Sequence, residues 1–183
     1  MINTDPYITA GKMNPIIAEL EPGDCFCTRN PMWLGRAICA TERLWAKDNK
    51  AKYSHAGVII GRGGITFEAL WTNKRQNLWK AYQGTEIFIA RHEDMTLENF
   101  WKGWDGIKKY EGNMYAGHRL LLHLIPFISK IGTGGFAVCS EIVGKFWQKS
   151  IYPDFYWKGR NPDDISDIMH NYKGWKTLYE DKL

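Results

Sequence analysis

Three side chains in this 183-residue chain could work together as nucleophile, base and acid: Cys139, His55 and Glu68. Ile142, Val143 and Phe146 follow Cys139 by three, four and seven residues. That spacing places Cys139 at the start of an amphipathic helix within Phe136–Trp147, on its inward stripe. The first turn of a helix carries unpaired N–H groups and the positive end of the dipole. Both favour the thiolate, which is the attacking form of cysteine, and the same N–H groups can later hold an oxyanion. Gly132-Thr133-Gly134-Gly135, just upstream, lets a substrate backbone come close. On position alone, a cysteine is more often a small buried hydrophobe.

His55 lies in Tyr53-Ser54-His55-Ala56-Gly57, at the start of a strand built for burial. A polar ring there needs a partner. Glu68, in Thr66-Phe67-Glu68-Ala69-Leu70, is an acid inside an apolar strand. Adjacent hairpin strands would bring it beside His55, where a carboxylate fixes the imidazole tautomer and stabilises the imidazolium. Each residue alone has a bland reading, a structural histidine and an outward-facing glutamate. The other candidates are weaker. Cys25 and Cys27 share one strand face with no histidine at metal spacing, and Cys39 falls mid-helix. His118 and His123 are five apart, the wrong spacing for two helical metal ligands. Neither a metal nor another cofactor is expected.

The elements that must position these residues emerge from pattern. Pro22-Gly23-Asp24 is a turn before a short strand, Cys25–Thr28. Trp33–Trp45 has a helical apolar pattern, and Lys47–Lys52 is a polar loop. Tyr53–Ile60 and Ile65–Trp71 are strands joined through Gly61-Arg62-Gly63-Gly64, a hairpin. Glu86–Arg91 is a further strand. Leu97, Phe100, Trp101, Trp104 and Ile107 repeat at helical spacing behind Thr96, a candidate N-cap. Asn161-Pro162-Asp163-Asp164 reads as another turn. The chain is expected to be one α+β domain over residues 1–183, with 1–20 as an N-terminal arm and 166–183 as a C-terminal tail.

Composition narrows the function classes. The chain is 44% hydrophobic and 14% aromatic, enough for a core, which argues against disorder. Its 24 basic and 20 acidic residues leave a net charge of +4 with the signs interspersed, so no nucleic-acid partner is expected. Four cysteines without a CxxC pair suit a reducing compartment. Neither a signal peptide nor a spanning helix is expected. The longest apolar run, Leu120 to Ile128, is broken by His123 and Pro126. Synthesis in the cytoplasm is the matching expectation. The oligomeric state is left open.

Taken in order, several segments resemble a known family. They are Pro22-Gly23-Asp24, Tyr53-Ser54-His55-Ala56-Gly57-Val58-Ile59, Phe67-Glu68-Ala69, Gly112-Asn113-Met114-Tyr115, Cys139-Ser140-Glu141-Ile142-Val143 and Asn161-Pro162-Asp163-Asp164. Their order is similar to that in the circularly permuted NlpC-type, papain-like cysteine peptidases and amidases of the YiiX-like group. Ordinary papain-like enzymes place the cysteine helix before the histidine strand; the permuted ones reverse this. The resemblance spans roughly residues 21–165, and it implies a small antiparallel sheet packed against the helix that carries the nucleophile. It also implies a Cys139–His55–Glu68 triad, with Tyr115, Ser54 and Ser140 at the oxyanion or substrate pocket. Two departures stand out. Ala116 occupies the position of the family's acid, and the stretch from Tyr115 to Cys139 is long and apolar.

The resemblance further implies cleavage of an amide or isopeptide bond through a Cys thioester, with peptidoglycan stem peptides as the first substrate class. A wall-directed role would then call for a phage-encoded protein or a non-classical export route. Two rivals keep the fold. One is acyl transfer involving a lipid, as in permuted relatives resembling lecithin retinol acyltransferase. The other is a non-catalytic binding module.

Overall fold

The computed structural model describes residues 13–29, 52–70, 72–113 and 139–183. The helix expected over Trp33–Trp45 with Cys39, the run Leu120 to Ile128, the pair His118 and His123, the glycine turn Gly132 to Gly135, and Tyr115 all lie outside these residues.

Six strands form one antiparallel sheet. In chain order they are β1 (Cys25–Thr28), β2 (His55–Gly61), β3 (Ile65–Ala69), β4 (Asn73–Asn77), β5 (Glu86–His92) and β6 (Trp175–Lys182). Across the sheet the order is β4-β3-β2-β1-β5-β6. Five α-helices are described: α1 (Ile16–Glu19), α2 (Leu78–Tyr82), α3 (Leu97–Ile107), α4 (Cys139–Ser150) and α5 (Pro162–Asn171).

Both faces of the central strands are covered. Cys25, Cys27, Ala56, Val58, Phe67, Ala69, Phe88 and Ala90 point towards α3, α4 and α5, whose Trp104, Phe146 and Ile165 complete that cluster. Phe26, Ile59, Ile87 and Ile89 point the other way, onto Ile17 of α1 and Leu78 and Tyr82 of α2. Burial on both sides is why β1 is buried along its whole length instead of alternating. The outer strands show the opposite pattern. β4 reads Asn-Lys-Arg-Gln-Asn, and β6 carries Lys176, Glu180, Asp181 and Lys182, the charges that keep sheet edges from pairing with other chains.

Local rules explain the parts next to the catalytic candidates. The β2–β3 hairpin turns through Gly63 and Gly64, both at φ +72°, a conformation that side chains resist. Thr96 caps α3 by accepting from the Asn99 N–H. α3 lies so close to α4 that a Cβ on Gly103 would come within 2.5 Å of the Phe146 ring.

Three stretches differ from the sequence reading. Asn161-Pro162-Asp163-Asp164 opens a helix. Asn161 and Asp164 form a reciprocal capping box, with proline at the first helical positions. Ile165, Ile168 and Met169 then supply the apolar stripe of α5. The segment 166–183, read as a tail, holds most of α5 and all of β6, and Leu183 itself is buried. Part of the supposed N-terminal arm is core, since Ile16, Ile17 and Leu20 are buried. No helix among the described residues is long and apolar enough to cross a membrane.

The α5 cap gives a test of this local reading. Asn161→Ala removes the acceptor for the Asp164 N–H, at 2.7 Å. The change is expected to cost about 1 kcal/mol of stability, read from the midpoint of urea unfolding. An unchanged midpoint would show that the box does not hold the helix.

Candidate active site

Strand alternation decides where His55 goes. It is the first residue of β2 and pairs with Thr28 of β1. His55, Gly57 and Ile59 share one face, whereas Ala56 and Val58 share the other. The imidazole therefore stands with Phe26 and Tyr82, at ring distances of 6.2 and 6.0 Å. Val58 pairs with Phe67, so Glu68 falls beside Gly57 on the histidine face. The missing side chain of Gly57 makes room for it. A Cβ there would come within 2.6 Å of the Phe26 ring and 2.8 Å of Glu68 Cγ. Glu68 thus reaches across, and its Oε2 lies 2.7 Å from His55 Nε2. It also accepts hydrogen bonds from the hydroxyls of Thr66 and Tyr82.

Cys139 arrives from the opposite face. It is the first described residue of α4, whose Ile142, Val143, Phe146 and Trp147 are buried against the sheet. The sulfur meets the His55 ring at the end of β2 and also accepts from the backbone N–H groups of Ala56 and Ser140. Since Nε2 faces Glu68, Nδ1 is the ring nitrogen left for the sulfur. The chain Cys139–His55–Glu68 therefore crosses from one face of the sheet to the other at the strand's end. All three residues are buried, Cys139 at 7%, His55 at 3% and Glu68 at 0% exposure.

Burial is the largest single influence on each group and opposes every charge. It pulls His55 down, but the Cys139 thiolate and then Glu68 outweigh it and raise the imidazole to about 10. It pushes the Cys139 thiol up, but His55 and the two N–H donors bring it below its ordinary value. Burial also raises Glu68, while the bonds from His55, Thr66 and Tyr82 hold it lower still. Magnitudes show why several partners are needed. Opposite charges about 4 Å apart attract by roughly 4 kcal/mol at an effective dielectric near 20, about three pK units. Full burial costs roughly three to five units. One pair barely offsets its own desolvation, whereas a chain with added donors exceeds it. The balance of these influences favours a thiolate–imidazolium pair backed by a carboxylate.

The other described thiols are held differently. Cys25 and Cys27 are fully buried, and burial pushes both well above the ordinary thiol value. Cys25 accepts from Trp147 Nε1 at 3.2 Å, and Cys27 lies 3.6 Å from the Pro162 carbonyl. Both are packing residues. Ser140 contributes its N–H to the sulfur, while its hydroxyl is donated to the Arg160 carbonyl at 2.6 Å. The Ser54 N–H is bonded to the Thr28 carbonyl. Sequence reasoning missed Thr66, Tyr82 and the Ala56 N–H. Thr66 was reachable, being two residues from Glu68 on the same strand face. Tyr82 carried no signal, because it enters through α2 after the polar strand β4. Among the described residues no group of three or more His, Cys, Asp or Glu side chains is placed to hold a metal ion.

No protein-family model and no curated protein matches the chain. Among solved structures it is similar to the crystal structure of the metalloprotein yiiX from Escherichia coli O157:H7, a DUF1105 protein. The two are 19% identical with a TM-score of 0.56, covering 89% of this chain and 98% of the other. At that identity the likeness is one of fold, and the chain has a YiiX-like α+β fold.

The charge arrangement predicts selective reactivity. Cys139 should label with iodoacetamide at about pH 6, where free thiols with a pKa near 8.5 are almost wholly protonated. Cys25 and Cys27 should stay unlabelled, as read by mass spectrometry at each cysteine. His55→Ala should return Cys139 to the titration of an ordinary or raised thiol. A Cys139 curve unchanged by that substitution would break the proposed pair.

Proposed function

We propose that the chain is a thiol hydrolase with a permuted papain-like arrangement, acting on an amide or isopeptide bond. The observation that carries this reading is the buried Cys139–His55–Glu68 chain, in which a lowered thiol faces a raised imidazole. A packing role needs no such charges. The chain order, histidine and acid first and cysteine last, fits the permuted arrangement. The amide class and the preference for peptidoglycan stem peptides come from the resemblance to NlpC-type enzymes.

In this mechanism the Cys139 thiolate attacks the substrate carbonyl carbon and the carbonyl π electrons move to oxygen. The oxyanion is assigned to the Cys139 N–H, the kind of donor that the first turn of a helix offers. Tyr115 is proposed as a second donor. As the tetrahedral intermediate collapses, the C–N bond breaks and the His55 imidazolium gives its proton to the departing amine. A thioester and a neutral imidazole remain. His55 then takes a proton from water, the resulting hydroxide adds to the thioester, and the acid product leaves as the thiolate–imidazolium pair re-forms. Glu68 keeps its charge throughout and holds the ring through Nε2. The yiiX neighbour is described as a metalloprotein. In the present chain the oxygens of Glu68 are already engaged by His55, Thr66 and Tyr82, so no residue is assigned to a metal.

Cys139→Ala should abolish turnover of a peptide-amide and isopeptide panel without loss of fold. Glu68→Gln should lower kcat by roughly a hundredfold or more, yet less than His55→Ala. Intact-mass trapping of an acyl adduct on Cys139 would complete the case. Retained hydrolysis in folded Cys139→Ala would falsify the mechanism.

A further inference from the structure

We infer that Tyr82 is a positioning residue of this site: its hydroxyl holds the Glu68 carboxylate on His55 and so supports the imidazolium that faces Cys139. The inference rests on the thiol-hydrolase reading of the triad and adds a fourth member to it.

The bonding pattern fixes the direction of donation. Glu68 Oε1 accepts from Thr66, whereas Oε2 accepts from both His55 Nε2 and Tyr82. Tyr82 therefore bonds the same oxygen that faces the histidine. The Tyr82 oxygen also accepts from Gln76 Nε2 at 3.3 Å. A phenol has one hydrogen, and an ionised carboxylate can only accept, so that hydrogen goes to Glu68. Burial and the nearby carboxylate push the Tyr82 hydroxyl well above its ordinary value, which keeps it a neutral donor. Its ring is held independently, 5.8 Å from Phe26 and 6.0 Å from His55. Among the described residues the titratable groups around this point are His55 from β2, Glu68 from β3, Tyr82 from α2 and Cys139 from α4. β4 brings the neutral Gln76, and on this face β1 brings Phe26.

The sign of the effect comes from coupled titration. At neutral pH the three groups carry two negative charges and one positive. On acidification the set binds its first proton at a macroscopic pKa that belongs to all of them. A hydroxyl donated to Glu68 stabilises only states in which Glu68 is ionised. Removing it favours states protonated on Glu68; with that charge gone the ring loses its support and passes its proton to the sulfur, leaving three neutral groups, so the thiolate is lost at higher pH.

The test is iodoacetamide labelling of Cys139 against pH in the full chain, comparing wild type, Tyr82→Phe and Thr66→Val, with thermal melts alongside. Tyr82→Phe keeps the ring and is expected to raise the acid limb by about one unit, lowering labelling roughly tenfold at pH values below the wild-type midpoint. Thr66→Val removes a donor from the other oxygen and should shift the limb less. Should the phenylalanine variant not fold, 3-fluorotyrosine at position 82, nearly isosteric and a stronger donor, should move the limb down. Superimposed curves for folded Tyr82→Phe and wild type, or an unmoved limb in the fluorotyrosine protein, overturn the role of Tyr82. In that case the hydrolase reading stands, provided wild-type Cys139 still labels in acid. A wild-type Cys139 that titrates as a free thiol overturns both.

Discussion

Three charges buried together at the end of β2 dominate the design of this molecule. Burial opposes the charged form of the Cys139 thiol, the His55 imidazole and the Glu68 carboxyl alike, and each is favoured as an ion by its neighbours. Their mutual attraction works only at contact distance, so the scaffold must place three side chains from three elements within hydrogen-bonding range. The β2–β3 register does this for His55 and Glu68. Gly57 does it by leaving space for the Glu68 stem. The packing of α4 on the sheet brings the sulfur to the Ala56 N–H. A shift of one residue in the register would turn Glu68 to the opposite face and separate the pair.

The two-sided sheet answers the same requirement. The histidine network belongs to the face covered by α1 and α2, and α4 with Cys139 belongs to the other. A one-sided sheet would leave either the carboxylate or the sulfur in water, where the charges would be screened and their pKa shifts would fade. Covering both faces also explains why β1 is buried along its whole length, while β4 and β6 at the sheet edges carry exposed charges.

This division governs how much of the structure was legible in the sequence. Cys139 was placed on the inward stripe of its helix by the spacing of Ile142, Val143 and Phe146, and α4 buries it together with those residues. His55 and Glu68 were connected by the hairpin alone, and they do meet. The elements overlooked are those without an apolar pattern. β4 is a strand because β3 offers it a partner, and nothing in Asn73–Asn77 announces that. β6 pairs with β5 through a register irregularity near Ile89 and Ala90, which blurs its alternation. Asn161-Pro162-Asp163-Asp164 was misread because the same residues make turns and helix caps; the stripe Ile165, Ile168 and Met169 was the deciding signal. Tyr82 was invisible for a different reason. Its role depends on a tertiary contact with Glu68, and no local rule encodes such a contact.

Folding alone gives a poor account of this network. His55, Thr66, Glu68 and Tyr82 occupy a face whose neighbours are Phe26, Ile59 and Leu78. Apolar residues of similar volume would fit there without desolvating any charge. Replacing a buried ion pair by well-packed hydrophobes is often neutral or stabilising, by roughly 1–4 kcal/mol. The polar set also satisfies itself closely, since each oxygen of Glu68 has a protein donor and both His55 nitrogens are engaged. A network that offers folding little, yet is completed by four elements of structure, draws its sense from the lowered Cys139 thiol at its end.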